Sequence, residues 1–527
     1  MTTLSQPRGI NEGQVTLMAL LYLALPSILF FLGWLTPVPA ILASLGVIGS
    51  LIYYAVRLMP RERECILPLN GRTIAVVAAA FILICLLHIS AGLIGFFPTD
   101  SDYDVARQAY YVNLVEAPWP IVLPNGYEIN YYLAAYLPPA ILARIFAAYP
   151  TEGSTLAQVI LLLWTAIGYT LAFLVVFTFR RKASLLFVLF VIFLCDPLLN
   201  IWFSAKGGSA MRYAVFLIQQ WSGIDCSLIT SFQGRHTMLS VMAMCGPYNS
   251  LPGTLLSAAV IICVRKHKNF TIPLTYALLL PISPMGAVGC LPFVLCFYAY
   301  RELLHKKGFF LSCAYSAIPL FLAFISFLYF TRGSEADGAG QGLATMFILS
   351  RYGVFGSCLV YGSVLFALIL MYGALWPLRR NKAILITLLC ILLYPLVVFG
   401  VLPHFYNELW LKCMPVYTFI LSLFLAYEWK SLPRWKYIAL GITLIHAVRM
   451  VIGLPSNYTG DPRIEDRHNG NLANMASSKA QTGPPLIEGI ICRENGAAEK
   501  NFPGNILPKA PGFDYSRPPA PRKQEMH

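Results

Sequence analysis

The stretch VTLMALLYLALPSILFFLG, residues 15–33, decides the fold class of this chain. It carries no charged side chain, and a bilayer core needs about 20 mostly apolar residues for each helical crossing. Backbone polar groups cannot go unpaired in lipid, so a spanning segment is a helix or part of a closed barrel. Barrel strands alternate apolar and polar residues, whereas this run is continuous. The sequence therefore predicts a transmembrane helix.

Similar runs recur along the chain as far as residue 454. Of the 527 residues, 57% are hydrophobic and 12% are charged, with a mean hydropathy of +0.66, whereas soluble domains carry about 25% charged residues. A soluble enzyme is thereby excluded, and an all-α polytopic integral membrane protein is predicted. We expect about thirteen crossings, at residues 15–33, 38–56, 73–95, 156–178, 183–203, 247–264, 270–283, 285–300, 309–330, 354–377, 383–403, 413–429 and 436–454.

The formal net charge of +14 comes from Lys and Arg residues clustered between the apolar runs. Such clusters mark the cytoplasmic side of a membrane protein and do not indicate a nucleic-acid partner. The clusters lie at residues 57–72, 180–182, 265–268, 301–307, 379–382 and 430–436. Their positions predict a cytoplasmic N-terminus with a retained first helix, and an external C-terminus.

One apolar stretch does not fit as a crossing. INYYLAAYLPPAILARIFAAY, residues 129–149, contains Pro138, Pro139 and Arg144. Counting it would place the cluster at residues 180–182 outside. We interpret it as an amphipathic, Tyr-rich juxtamembrane helix at the outer surface. The external region between the third and fourth crossings then runs over residues 96–155, within a membrane domain of residues 1–455.

The C-terminal segment, residues 456–527, has a different character. It is polar and Pro-rich, and it lacks the apolar periodicity from which a core is built. Such a composition predicts a flexible external tail.

The external loop carries the strongest chemical signal, PTDSDYDVARQ at residues 98–108. Asp100, Asp102 and Asp104 alternate there, and crowded carboxylates raise one another's pKa. One aspartate then serves as a general base, while Asp100 and Asp102 are candidate ligands of a divalent cation. A solvated, helix-capping acidic turn is the alternative interpretation.

The loop also resembles that of the GT-C glycosyltransferases, membrane enzymes that take a sugar from a polyprenyl-phosphate carrier. Protein O-mannosyltransferases and lipid A aminoarabinose transferases belong to this superfamily. The matching stretches are DSDYDVARQAYY (100–111), APWPIVLPNGYE (117–128), INYYLAAYLPPAILARIF (129–146) and FRRK (179–182). Residues 233–244, 282–295 and 405–421 are similar to an uncharacterised bacterial branch.

This chain departs from that pattern in one respect. Family members commonly place one acidic residue or an Asp-Glu pair early in the loop, where this chain has three spaced aspartates. Which aspartate is equivalent stays open, with Asp104 and Asp102 ranked above Asp100.

Other residues at predicted external helix ends are candidate substrate ligands. Arg235 and Arg351 suit phosphate contact, His236 suits hydrogen bonding, and Lys412 would stabilise charge on a departing phosphate. Interfacial anchoring and snorkelling are their alternative roles. Glu128 is a further loop carboxylate, and Trp119 would stack on a sugar or belong to the aromatic belt.

The resemblance implies a transferase of the bacterial cytoplasmic membrane. It would move a hexosyl or pentosyl group from a lipid-linked donor to a glycan, lipid or protein acceptor of the cell envelope. Two alternatives stay open: a polysaccharide polymerase with a lipid-diphosphate donor, and a lipid-linked glycan flippase or transporter. The apolar spans contain few ionisable residues, which disfavours an ion-coupled transporter.

Overall fold

The computed structural model describes residues 9–61, 66–90, 110–121, 127–128, 132–148, 155–193, 250–297, 317–326, 373–400, 406–434, 436–437, 440–441, 444 and 478–479. The described chain is mostly helical. Its first helices are α1 (Glu12–Trp34), α2 (Pro37–Tyr53, continued by tighter and wider turns through Arg61) and α3 (Gly71–Ser90).

A helical stretch at residues 110–116 (α4) opens the described part of the predicted external loop. A 3₁₀ turn, Ala134–Tyr136, precedes α5 (Leu137–Ile145). The later helices are α6 (Leu156–Arg180), α7 (Leu185–Phe193), α8 (Ser250–Cys263), α9 (Lys268–Ile282), α10 (Pro284–Val294), α11 (Ala317–Ser326), α12 (Lys382–Gly400, after a 3₁₀ turn at Gly373–Leu378) and α13 (Tyr406–Tyr427).

Two short strand pairs complete the described structure. The strands β1 (Gly9–Asn11) and β2 (Ile66–Pro68) pair antiparallel, with Ile10 opposite Leu67. The strand β3 (Tyr127–Glu128) pairs with β4 (Ser478–Lys479). Apart from β4, the predicted tail at residues 456–527 lies outside the described residues.

Four helices are long and apolar enough to cross a membrane: Glu12–Trp34, Pro37–Leu58, Gly71–Ile89 and Leu156–Arg180. They coincide with the first four predicted crossings. The other apolar helices are shorter over the described residues. A mostly helical protein with four candidate membrane-spanning helices in its described part is therefore confirmed, while the count of thirteen crossings stays a prediction.

The outer surface of α2 is apolar and suits contact with lipid. Val38 is 68% exposed, and Ile41, Leu42, Leu45 and Ile52 are each more than half exposed. A contiguous apolar patch of this kind is rare on soluble monomers. Contact with acyl chains would remove these side chains from water and so avoid the free-energy cost of hydrating an apolar surface.

The central helix of the described bundle is α1, which contacts α2, α6, α8 and α9. Its start is fixed by a reciprocal cap, in which Asn11 Oδ1 accepts from the Gln14 N–H at 2.8 Å and Gln14 Oε1 accepts from the Asn11 N–H at 3.0 Å. This cap satisfies donors that the first helical turn leaves unpaired. Farther along, the Ser27 hydroxyl lies 3.1 Å from the Leu278 carbonyl of α9.

Gly168 of α6 lies at a close crossing of three helices. A Cβ atom there would overlap the Tyr22 phenol of α1 and lie 2.7 Å from Pro252 Cβ of α8. Gly168→Ala should therefore lower the free energy of unfolding by about 1–3 kcal/mol, measured by denaturant titration in detergent micelles. In α2, a Cβ atom added at Gly49 would meet no heavy atom within 4 Å, so Gly49→Ala is the matched control. The control should be neutral or stabilising, because alanine favours helix.

Several basic clusters meet at one end of the bundle, which we call the basic end. It comprises the start of α1 and the ends of α6, α8 and α13. There Arg180 forms an ion pair with Glu428 at 3.1 Å, and the Arg265 N–H donates to Glu12 Oε1 at 3.1 Å. The β1–β2 pair adds the connection between α2 and α3 to this end.

The remaining basic segments follow from antiparallel helix pairs. Lys268 at the start of α9 lies 5.7 Å from the Phe297 ring centroid, just beyond α10, so the chain leaves α10 at the basic end. Only residues 401–405 separate α12 from α13, and these two helices pack together, so they run antiparallel. Because α13 ends at the basic end, α12 begins near that end, with Lys382 as its first residue. The cluster at residues 301–307 lies outside the described residues.

Candidate functional site

The described part of the predicted external loop packs at the other end of the bundle, which we call the loop end. Trp119 contacts Trp34, the last residue of α1, with ring centroids 5.6 Å apart. The Tyr111 hydroxyl donates to the Ala157 carbonyl in the first turn of α6 at 2.8 Å. Because α1 has 23 residues and a helix rises 1.5 Å per residue, about 35 Å separates the two ends, close to the thickness of a bilayer core.

Arg144 of α5 is the centre of this loop scaffold. Its side chain is 1% exposed, and its Nε and Nη2 donate to the Leu114 carbonyl at 3.1 and 2.8 Å. Nη2 also donates to the Ala117 carbonyl. These carbonyls belong to the end of α4, where the last helical carbonyls lack partners within the helix. The Arg144 guanidinium therefore caps the C-terminal end of α4 and connects it to α5 by hydrogen bonds.

Trp119 forms the other side of this arrangement. The Arg144 guanidinium carbon lies 5.0 Å from the Trp119 ring centroid, a cation–π distance. The Trp119 indole N–H donates to the Leu114 carbonyl at 3.0 Å. The indole ring packs closely on Gly33 of α1, which has no side chain. A Cβ atom at this position would lie only 3.2 Å from an indole carbon. The loop is thereby fixed to α1 by packing and hydrogen bonds together.

Burial also determines the state of Tyr111. Desolvation raises the pKa of its phenol well above the ordinary value, because the charged form loses its hydration. The hydroxyl therefore stays protonated and donates to the Ala157 carbonyl. Glu116 is also buried, at 1% exposure, in the turn that supplies the carbonyls bound by Arg144.

The stretch at 129–149 differs from the amphipathic surface helix that the sequence predicts. The described helix α5 has nine residues, fewer than a crossing requires. The chain from Leu133 to Ala140 is buried within the protein, whereas Leu142, Ile145 and Phe146 are exposed. The Arg144 side chain points inward, where backbone carbonyls accept its hydrogen bonds. The exposed face of α5 therefore carries the apolar residues Leu142 and Ile145 and no charge from Arg144.

The structure describes only some of the predicted site residues. Trp119 is fully buried and its observed contacts are with the protein, so sugar stacking by this ring stays a prediction. Glu128 lies in β3, opposite Ser478. Asp100, Asp102, Asp104, Arg235, His236 and Arg351 lie outside the described residues.

Lys412 belongs to the part of α13 near the loop end. Its neighbour Cys413 donates from Sγ to the Met285 carbonyl at 3.1 Å, and Met285 follows the sharp turn between α9 and α10. That turn is at the far end of α9 from Lys268, and α9 contacts the 3₁₀ turn that precedes α5. The backbone of Lys412 is thus at the same end of the bundle as the loop scaffold.

The aspartate stretch leads directly into this scaffold. Asp104 precedes Tyr110, the first described residue of α4, by six residues. Among the described residues, no group of three or more His, Cys, Asp or Glu side chains is arranged to hold a metal ion. The proposed cation ligands Asp100 and Asp102 fall outside that part, and metal binding stays a prediction.

Sequence reasoning did not assign Arg144 a role in the site. The sequence nevertheless indicates such a role, because an isolated Arg within an apolar stretch must find a partner.

No family model matches the chain, and neither the curated proteins nor the solved structures include a significant match.

Proposed function

We propose that this chain is a GT-C-like glycosyltransferase of the bacterial cytoplasmic membrane. In this proposal about thirteen helices cross the membrane, with the basic end and the N-terminus cytoplasmic and the loop end and the C-terminus external. The donor is a polyprenyl-phosphate-linked sugar, and the acceptor is a glycan, lipid or protein of the cell envelope.

One observation carries the proposal. The residues that follow the aspartate stretch are anchored to the bundle end opposite the basic clusters, through Arg144, Trp119 and Tyr111. Positive clusters favour the cytoplasmic face, so this anchoring supports an external position for the aspartates. It also supports proximity of the aspartates to the membrane surface, where the phosphate of a lipid-linked donor would lie.

In the proposed reaction, Asp104 or Asp102 accepts the proton of an acceptor hydroxyl. The hydroxyl oxygen forms a bond to the anomeric carbon as the bond from that carbon to the phosphate oxygen breaks. The electron pair stays on the polyprenyl phosphate, and the anomeric centre inverts. Lys412, Arg235 and Arg351 are the proposed groups that stabilise the leaving phosphate.

A transfer assay tests this function. The purified chain would be reconstituted in vesicles with a polyprenyl-phosphate hexose labelled in its sugar, together with envelope fractions as acceptors. A transferase releases polyprenyl phosphate and labels the acceptor, whereas a flippase moves the intact donor between leaflets. Donor translocation without release would contradict the proposal, and acceptance of only a lipid-diphosphate donor would favour the polymerase.

The proposed topology predicts the sidedness of a cysteine label. Arg181 is exposed at the end of α6, so Arg181→Cys, in a background with its accessible native cysteines replaced, should react with a membrane-impermeant maleimide only after the cells are opened. The matched site is residue 455 at the predicted external end of the last crossing, and Pro455→Cys should react in intact cells. Labelling of residue 181 in intact cells would place this residue outside the cell and contradict the proposed topology.

A further inference from the structure

The basic end carries an exposed cationic surface beside the last turns of α6 and α13. We define it as the anchor surface, made of Arg181, Lys182, Lys430 and Lys436 with Trp429 and Tyr437. The ends of the two helices are joined because the Tyr427 hydroxyl donates to the Lys182 carbonyl at 2.6 Å. Arg181, Lys182 and Lys430 are exposed.

Among the described residues, the basic end carries two acidic side chains and many more basic ones. Glu428 pairs with Arg180 at 3.1 Å, and Glu12 accepts from the Arg265 N–H. Among the described residues of the basic end, Arg57, Arg72, Arg265, Arg379, Arg380, Lys382 and Arg434 are also exposed. The anchor surface is therefore cationic within a larger cationic end, and its complement is an anion.

Aromatic residues at the same surface identify the surroundings of that anion. Lys436 Nζ lies 5.4 Å from the Trp429 ring centroid and 5.6 Å from that of Tyr437, and it donates to the Trp429 carbonyl at 2.7 Å. Tyr437 is 59% exposed. Outside the anchor surface, Trp376 is 56% exposed, and its ring centroid lies 5.2 Å from the Arg379 guanidinium carbon. Exposed Trp and Tyr rings beside cations are typical of the depth of lipid headgroups.

We propose that the anchor surface binds the headgroup of an anionic phospholipid. Cationic side chains at the headgroup level attract anionic lipids, while the aromatic rings lie against the glycerol and upper acyl region. The geometry favours a membrane lipid over a soluble anion because the aromatic and cationic side chains share one rim of the bundle. This inference does not depend on the proposed sugar transfer.

Native mass spectrometry tests the proposal directly. The full chain would be purified in mixed micelles of phosphatidylglycerol and phosphatidylcholine in equal amounts, and the lipids that remain bound would be counted. Wild-type protein should retain phosphatidylglycerol preferentially. The triple variant Arg181→Gln/Lys182→Gln/Lys430→Gln should lose that preference by at least about fivefold, since each basic residue near an anionic surface contributes about a fivefold change.

The charge-preserving variant Arg181→Lys/Lys182→Arg/Lys430→Arg is the matched control and should keep the wild-type preference. Both variants would first be compared with wild type by thermal unfolding, and Lys182→Gln alone would replace the triple variant if it did not fold. Unchanged phosphatidylglycerol retention in the neutral variant would overturn the proposal. Loss of that preference on adding inorganic phosphate at fixed ionic strength would also overturn it, by assigning the surface to a soluble anion.

Discussion

Replacement of Arg144 by alanine is expected to lower the free energy of unfolding by about 3–5 kcal/mol. The variant loses charge-assisted hydrogen bonds to the Leu114 and Ala117 carbonyls and its contact with the Trp119 ring. Without Arg144, the Ala117 carbonyl at the buried end of α4 loses this donor, while the Leu114 carbonyl keeps the Trp119 indole N–H. Denaturant titration in micelles measures the change, and limited proteolysis should show faster cleavage within residues 96–155.

Two further variants separate the guanidinium from the helix that carries it. Arg144→Lys keeps the charge but lacks the planar array of donors, so it should recover only part of the stability. Leu142 lies on the same helix and is 41% exposed, and Leu142→Ala should change the unfolding free energy by less than about 1 kcal/mol. If Arg144→Ala and Leu142→Ala unfold alike, the guanidinium does not hold the loop.

The helices of the bundle could be predicted because their signals are local. The sequence predicts a crossing at residues 156–178, and the helix runs from Leu156 to Arg180. It also predicts separate crossings at residues 270–283 and 285–300. The helix is interrupted at Ser283, whose hydroxyl accepts from the Gly286 N–H at 3.1 Å. The length of an apolar run, together with the prolines and charges at its borders, therefore sets most helix limits.

The common location of several basic clusters could also be predicted from sequence. The positive-inside rule requires the groups at residues 180–182, 265–268 and 430–436 to share one side. The Arg180–Glu428 pair and the contact of Arg265 with Glu12 join the same helix ends. This part of the arrangement follows from the positions of Lys and Arg residues near the helix ends, which can be found without knowledge of individual contacts.

The loop scaffold could not be predicted in this way. Arg144 binds backbone carbonyls 27 and 30 residues earlier in the chain, and carbonyl groups carry no sequence signature. Trp119 packs on Trp34, across a long separation in sequence, whereas local sequence favours a ring available to a sugar or to lipid. Long-range packing decides which of these side chains are buried, and that choice cannot be made from local pattern.

The largest expected effect belongs to the aspartates. In the double variant Asp102→Asn/Asp104→Asn, sugar transfer should fall by about 10²–10⁴-fold, the typical contribution of a general base. The acceptor hydroxyl must lose its proton as it attacks the anomeric carbon, and an amide at either position cannot accept that proton. The rate of transfer in membranes, with the protein level held equal, measures the effect.

The single variants and a carboxylate outside the cluster serve as controls. If Asp104 is the base, Asp104→Asn alone should match the double variant while Asp102→Asn keeps most of the activity, and the reverse pattern would identify Asp102. Glu128→Gln, in β3, removes a loop carboxylate from outside the aspartate cluster and should lower transfer by less than the double variant.

Arg144→Ala supplies the contrast that separates chemistry from folding. It should lower transfer and the free energy of unfolding together, because α4 directly follows the aspartate stretch and is held by Arg144. The Asp→Asn variants should instead unfold at the wild-type denaturant concentration, since an exchanged carboxylate oxygen barely alters packing. Near-wild-type transfer by the double variant would rule out a catalytic base at Asp102 or Asp104, even with the bundle intact.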